Sequence, residues 1–313
     1  MNGRNLNVRY RRNEYAKKRN KLIIIIVSVV VVLLLAGFLI VGSLLKGKVD
    51  DDLQNAASDT TQNEQPEVPH ANVGAVKGYG ISLSGVTTTK ISDKATEIQR
   101  AGGSNMSFVA RDSSGKETYS SSLARSMGKQ SQTDLIDVSE INSRAANKGL
   151  TASAIVPVTA FSKKDDLERA TQLFYDASVC AELYREGADD VLVKLEATEI
   201  TESNLEELLR FSDWVKSLDN EVTIGIALTP SVLEKESAEV IIGKLWERYD
   251  FLALDLTATK PWESSDAGNN EIQFYLLMYN MRVLLPDATG TELSVMTDYL
   301  KGMGVENFQT VAP

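Results

Sequence analysis

Four ionisable side chains stand near the ends of β-rich runs at spacings that bring them onto inward faces. Strand alternation groups Ser107, Val109 and Arg111 in 105–111, Leu192, Lys194 and Glu196 in 190–197, and Ala253, Asp255 and Thr257 in 251–257. In the last run Leu252, Leu254 and Leu256 form the opposite, apolar face, so the mixed face is expected to line an interior. Glycoside hydrolysis needs two carboxyl groups flanking the scissile bond, about 5 Å apart for retention and about 6.5–9.5 Å for inversion. Glu196 is the candidate general acid and Asp255 its partner, with Arg111 and Lys194 setting charge and orientation. The same charges equally suit an ion-pair network that plugs the interior, because buried charges need partners whether or not they catalyse. A Schiff-base role for Lys194 is a third reading; Glu196, two residues on, stabilises the charged amine and weighs against it.

Other chemistries are excluded by count. The one histidine, His70, lies in a polar stretch, and the one cysteine, Cys180, sits in the small apolar run Ala177-Ser178-Val179-Cys180-Ala181 that reads as a packed helix face. A Ser-His-Asp triad, a Cys-His pair, an intrachain disulfide and the usual histidine-containing zinc sites are therefore not available to the domain. Neither G-x-G-x-x-G after the first strand nor a P-loop is present. Neither a cofactor nor a metal is expected.

Eight β-rich runs alternate with amphipathic stretches, and these must position the charges. Strands are predicted at 78–84, 105–111, 151–158, 190–197, 222–229 and 251–257, with shorter ones at 282–285 and 308–312. Helices are predicted at 92–100, 139–148, 165–186, 203–218, 237–249, 270–281 and 291–302, with Ser92 and Ser203 as N-caps. Parallel strands need crossover helices, so this alternation predicts a parallel sheet covered by helices. Eight strands in residues 77–313 fit a (β/α)8 TIM-type barrel, with a doubly wound open sheet as the runner-up. Catalytic groups of such barrels lie at the carboxyl ends of the strands, where these four charges fall.

The N-terminal quarter differs in kind. Residues 22–45 contain no charge and are mostly Ile, Val and Leu, long enough for a transmembrane helix. A cleaved signal peptide has a shorter apolar core and a small-residue cleavage site, and Lys46 and Lys48 follow here instead. Residues 1–21 carry eight Lys or Arg against Glu14 alone, a net +7 that stays in the cytoplasm by the positive-inside rule. Removing that +7 from the whole-chain −10 leaves −17 for the remainder, which argues against nucleic acid as a partner. Residues 46–76 are polar and aperiodic and are expected to form a disordered stalk. The chain therefore reads as a single-pass protein of the cell membrane: cytoplasmic tail 1–21, span 22–45, stalk 46–76 and extracytoplasmic domain 77–313.

Aromatic rings stack on sugars, and Trp262, in the loop after the sixth strand, is a candidate substrate contact or a loop anchor. Trp214 and Trp246 lie in helical stretches and are expected in the core. The run Phe108-Val109-Ala110-Arg111-Asp112-Ser113-Ser114-Gly115, followed by Thr118-Tyr119-Ser120-Ser121, resembles a segment of bacterial cell-envelope glycoside hydrolases grouped as a TIM-barrel domain of unknown function. In that family a strand ends in V-K-D-D-x-G and a Tyr follows. Lys148-Gly149-Leu150 leading into 154–161 is similar to their next strand, A-R-I-V-x-F-K-D. The resemblance implies a barrel acting on a cell-envelope polysaccharide, with Asp112 carried over from the acidic pair as the alternative to Asp255 as partner of Glu196, and Tyr119 as a substrate contact. Arg111-Asp112-Ser113 replaces K-D-D, and Ala or Ser replaces the Arg of the next strand, which implies a divergent or catalytically degenerate member. A non-catalytic binding or scaffold module of the envelope is the alternative.

Overall fold

The computed structural model describes residues 75–312 except 131–134, 164, 196–199, 201, 260 and 264–269. The predicted tail, membrane span and nearly all of the stalk lie outside the described residues, as does Glu196. Among the described residues no helix is long and apolar enough to cross a membrane.

Eight parallel strands close into one barrel in sequence order: β1 Lys77–Ile81, β2 Asn105–Val109, β3 Thr151–Val158, β4 Asp190–Leu195, β5 Ile224–Leu228, β6 Phe251–Asp255, β7 Arg282–Pro286 and β8 Phe308–Val311. The ring shuts where β8 pairs with β1, Gln309 opposite Gly78. The open sheet is thereby excluded. Between the strands run α1 Thr88–Arg100, α2 Ser122–Ser126, α3 Val138–Ala146, α4 Asp166–Arg185, α5 Glu202–Leu218, α6 Pro230–Leu233, α7 Ala238–Trp246, α8 Asn270–Met278 and α9 Gly290–Gly302. The two helices without a sequence expectation, α2 and α6, are too short to show a period.

Caps explain two of the boundaries. The Asp165 carboxylate accepts from Glu168 N at 2.9 Å and starts α4 where expected. The start of α1 is corrected: Thr87 caps it, and Ser92 lies a turn inside with its hydroxyl bonded to Thr88 O at 3.1 Å. Val76 is buried, and its N–H donates to Asn307 Oδ1 at 3.0 Å, so the folded domain begins inside the stretch expected as stalk.

The strand faces divide as alternation predicts. Leu252, Leu254 and Leu256 pack in the shell between sheet and helices, whereas Ala253 joins Ile155, Leu192, Ala227, Phe251 and Leu284 inside the ring. Cys180 is fully buried on α4, and burial pushes its thiol far up, as for a small hydrophobe. At the amino end of the barrel Arg282 is bonded in bidentate fashion to Asp190 (3.1 and 3.0 Å) and to Gln309 Oε1 (2.9 Å), and lies 4.3 Å over the Phe251 ring. This floor closes the ring.

Gly80 marks the tightest point of the seam. A Cβ there would stand 2.4 Å from Ala312 N and 2.9 Å from Thr310 O, both backbone atoms that cannot rotate away. Gly80→Ala should therefore lower the urea midpoint by an amount equivalent to about 1–3 kcal/mol, the usual cost of overpacking. An unchanged midpoint would show that the β1–β8 seam yields freely.

Candidate functional site

At the carboxyl rim Lys194 of β4 and Asp255 of β6 meet across β5. They can do so because the inward residue beside both is Ala227, whose Cα is paired with those of Lys194 and Ala253. Lys194 Nζ lies 3.1 Å from Asp255 Oδ2 and donates to Thr257 Oγ1 at 2.7 Å. Asp255 Oδ1 accepts from Thr257 N at 2.9 Å and from its hydroxyl at 2.6 Å. The threonine hydroxyl thus accepts from the ammonium and donates to the carboxylate, making one three-residue unit. Thr257 was expected on this face but not singled out; a hydroxyl at a strand end has no sequence signature.

Lys194 borders a cavity of about 400 Å³ at this rim, together with Ser82, Ser84, Asp112, Ser113 and Thr118. Its apolar wall includes Val109, Ile155 and Val311. Hydroxyls, the Lys194 ammonium and the Asp112 carboxylate over aliphatic side chains suit a small polyhydroxylated ligand. A larger groove of about 780 Å³ runs outside the barrel between α1 and the start of α9, and none of the predicted site residues lines it.

Arg111 borders the cavity but does not direct its charge there. Its Nε and Nη2 donate to Glu117 Oε1 at 3.0 and 2.8 Å, and Nη1 donates to Pro157 O and pairs with Asp176 Oδ1, both at 2.8 Å. Tyr175 OH donates to the same Glu117 oxygen at 3.0 Å, and Gln172 Nε2 to Asp176 Oδ1 at 2.7 Å. Burial drives the Glu117 and Asp176 carboxyls upward, against the opposite pull of Arg111. Arg111 thus shares the cavity wall with Lys194 as expected, but its guanidinium is the centre of a separate network that clamps the end of β2 to β3 and α4. Its partners had one legible signal, since Asp176 stands on the otherwise apolar buried face that carries Cys180.

Asp112 lies at the cavity edge with its side chain held in a turn. Oδ1 accepts from Ser114 N (2.8 Å), Ser114 Oγ (2.6 Å) and Lys116 N (3.0 Å). Partial burial opposes its charge, but these donors and the Lys116 charge outweigh it and hold the carboxyl below its ordinary value. Such a group is no proton donor near neutrality. The expectation that Tyr119 contacts substrate is corrected: the ring is fully buried, and its hydroxyl donates to Glu182 at 2.9 Å, beside Ser121 on the same oxygen at 2.6 Å. Burial and Glu182 push that phenol well up. Trp262, in the 3-10 turn Pro261–Glu263, is half-buried against the core, edge-on to Tyr299 at 6.4 Å, and does not border the cavity. These contacts are those of a loop anchor. Trp214 and Trp246 pack against the core as expected.

Among the described residues, carboxyls pushed upward are Glu117, Asp176, Glu186 and Asp189. The first two are locked under Arg111, and the other two follow α4 at the amino end of the barrel, away from the mouth. The described mouth therefore holds Asp255 tied to a lysine and Asp112 tied into its turn, and none of the carboxyls pushed upward. Among the described residues no cluster of metal-ligating side chains occurs.

No protein-family profile matches the chain, and no curated protein is similar to it. Solved structures resemble it at low identity. An α-L-fucosidase of Bacteroides thetaiotaomicron is 10% identical with a TM-score of 0.45, over 71% of this chain and 54% of that one. An FMN-binding β-glucuronidase of Facaelibacterium prausnitzii is 9% identical with a TM-score of 0.48, over 76% and 37%. A sugar phosphate isomerase/epimerase of Parabacteroides distasonis is 12% identical with a TM-score of 0.38, over 79% and 91%. None of these likenesses assigns a reaction.

Proposed function

We propose that this chain is a membrane-anchored, glycoside-hydrolase-like barrel whose mouth takes a cell-envelope polysaccharide. The observation that carries this reading is the Lys194–Thr257–Asp255 unit beside a 400 Å³ cavity lined by hydroxyls at the carboxyl rim. In the hydrolytic version Asp255 is the carboxylate, with Lys194 orienting it, and Glu196 is the proton donor. The binding version is supported, among the described residues, by Asp112 being held in its own turn and Arg111 being consumed by Glu117 and Asp176.

Turnover of peptidoglycan fragments and labelled glycans by the purified full-length protein separates the two. Hydrolysis predicts product that disappears in Glu196→Gln and in Asp255→Asn. Binding alone predicts no product, with saturable affinity that survives Glu196→Gln but drops roughly tenfold or more in Lys194→Met, the loss of one charged hydrogen bond. Neither turnover nor saturable binding to any glycan would end the carbohydrate reading.

A further inference from the structure

The helix α8 is apolar on both sides. Inward, Leu276 is buried and Ile272, Tyr275 and Tyr279 pack against the core; outward, Phe274, Leu277 and Met278 stand 57%, 52% and 60% exposed. Spacings of three and four residues put these three on one stripe. The second half of α8, Phe274–Met278, carries no charged side chain on either side, so this exposed stripe calls for a covering phase. Beside it lies a ladder of half-buried rings: Phe274 against Tyr275 (5.4 Å), Tyr275 stacked on Tyr279 (6.5 Å), and Tyr279 against Trp246 at the end of α7 (5.4 Å). Amphipathic rings of this kind favour the boundary between lipid and water.

What covers the stripe is indicated by where the chain enters the barrel. Asn307 joins the two places directly: its Oδ1 accepts from Val76 N at 3.0 Å, and its Nδ2 donates to Asn280 O, just past α8, at 3.2 Å. The polypeptide that leads back to the uncharged apolar run 22–45 thus leaves the domain beside Met278, at the amino end of the barrel, opposite the mouth. About 30 residues separate the run from Val76.

We propose that the Phe274–Leu277–Met278 stripe is a bilayer-docking surface that seats the α8 flank of the domain on lipid. This rests on the reading of 22–45 as the membrane span. The occupant is the lipid interface, entered by the apolar side chains to a depth of about 5–10 Å as interfacial helices are. Docking is apolar rather than electrostatic, because the remainder of the chain is strongly acidic and anionic headgroups would repel it.

The test uses the full chain in phosphatidylcholine liposomes containing lipid-borne quenchers. Cys180 is buried and is the one native thiol, so an introduced cysteine alone takes a fluorescent label. A label at Met278→Cys should be quenched several-fold more than one at Phe174→Cys, which is 58% exposed on α4 across the ring. Adding Phe274→Ser and Leu277→Ser should abolish the difference. Equal quenching at both positions overturns the proposal, as does protection of the Met278 label that appears only as protein density rises, the mark of a second copy on the stripe. Release of the chain by alkaline carbonate would instead overturn the anchor reading, an outcome distinct from a retained chain with equal quenching.

Discussion

Arg282→Ala is expected to destabilise the barrel by about 3–5 kcal/mol, a large fraction of the roughly 5–15 kcal/mol that holds a domain together. The guanidinium is fully buried, holds both oxygens of Asp190 and one of Gln309, and stacks on Phe251. Alanine removes all of these at once and leaves the Asp190 carboxylate, only 9% exposed in its side chain, without a counter-charge. The pair is not expected to be worth that much in itself. An Arg282→Met, Asp190→Leu double variant of similar volume should lie close to the parent, because an apolar isostere avoids the desolvation of both ions. Urea unfolding followed by circular dichroism measures both. A loss under about 1 kcal/mol for Arg282→Ala would mean that water reaches the floor and screens Asp190.

The second large effect is Arg111→Ala, again about 3–5 kcal/mol near neutrality, but with a signature in pH. Arg111 is the cation that Glu117 and Asp176 share, and both carboxyls are fully buried. Burial already holds their folded values above their unfolded ones. A carboxyl raised in the folded state contributes stability that is whole below its unfolded value, about 4, and fades as pH rises through the folded value. Without Arg111 both values rise further, so the two charges are hardest to keep at pH 7–8 and easiest to neutralise in acid. The deficit of Arg111→Ala relative to the parent should therefore shrink as pH falls towards about 5. Unfolding curves at several pH values would show it; a deficit constant across that range would mean that Glu117 and Asp176 do not face Arg111 as a unit. Neither variant touches the Lys194–Asp255 pair, so any glycan affinity should persist in the fraction that remains folded.

Periodicity made the barrel legible, and it did so for a physical reason. A buried parallel strand must be apolar towards its helices, and Leu252, Leu254 and Leu256 write that face without ambiguity. Segment lengths and alternation then left closure or an open sheet, and the pairing of β8 with β1 decided between them. Inward parity also brought Lys194 and Asp255 to one mouth. Their mutual contact through Thr257, 63 residues from the lysine, could not be read from local pattern.

Pattern and composition alone carry the order of the eight strands and of the seven longer helices, the inward faces, the absence of histidine and disulfide chemistry from the domain, and the sharp charge contrast between 1–21 and the rest. Only the tertiary structure decided what the long side chains at the strand ends do. Alternation governs where Cβ points, but Arg111 sits where its strand ends, and its flexible stem reaches Glu117 and Asp176 instead of the cavity. Tyr119 follows the same rule, turned into the helical layer by Glu182, 63 residues further on. A buried charge or hydroxyl goes to the partner that compensates its lost water, and that partner is set by packing between distant segments.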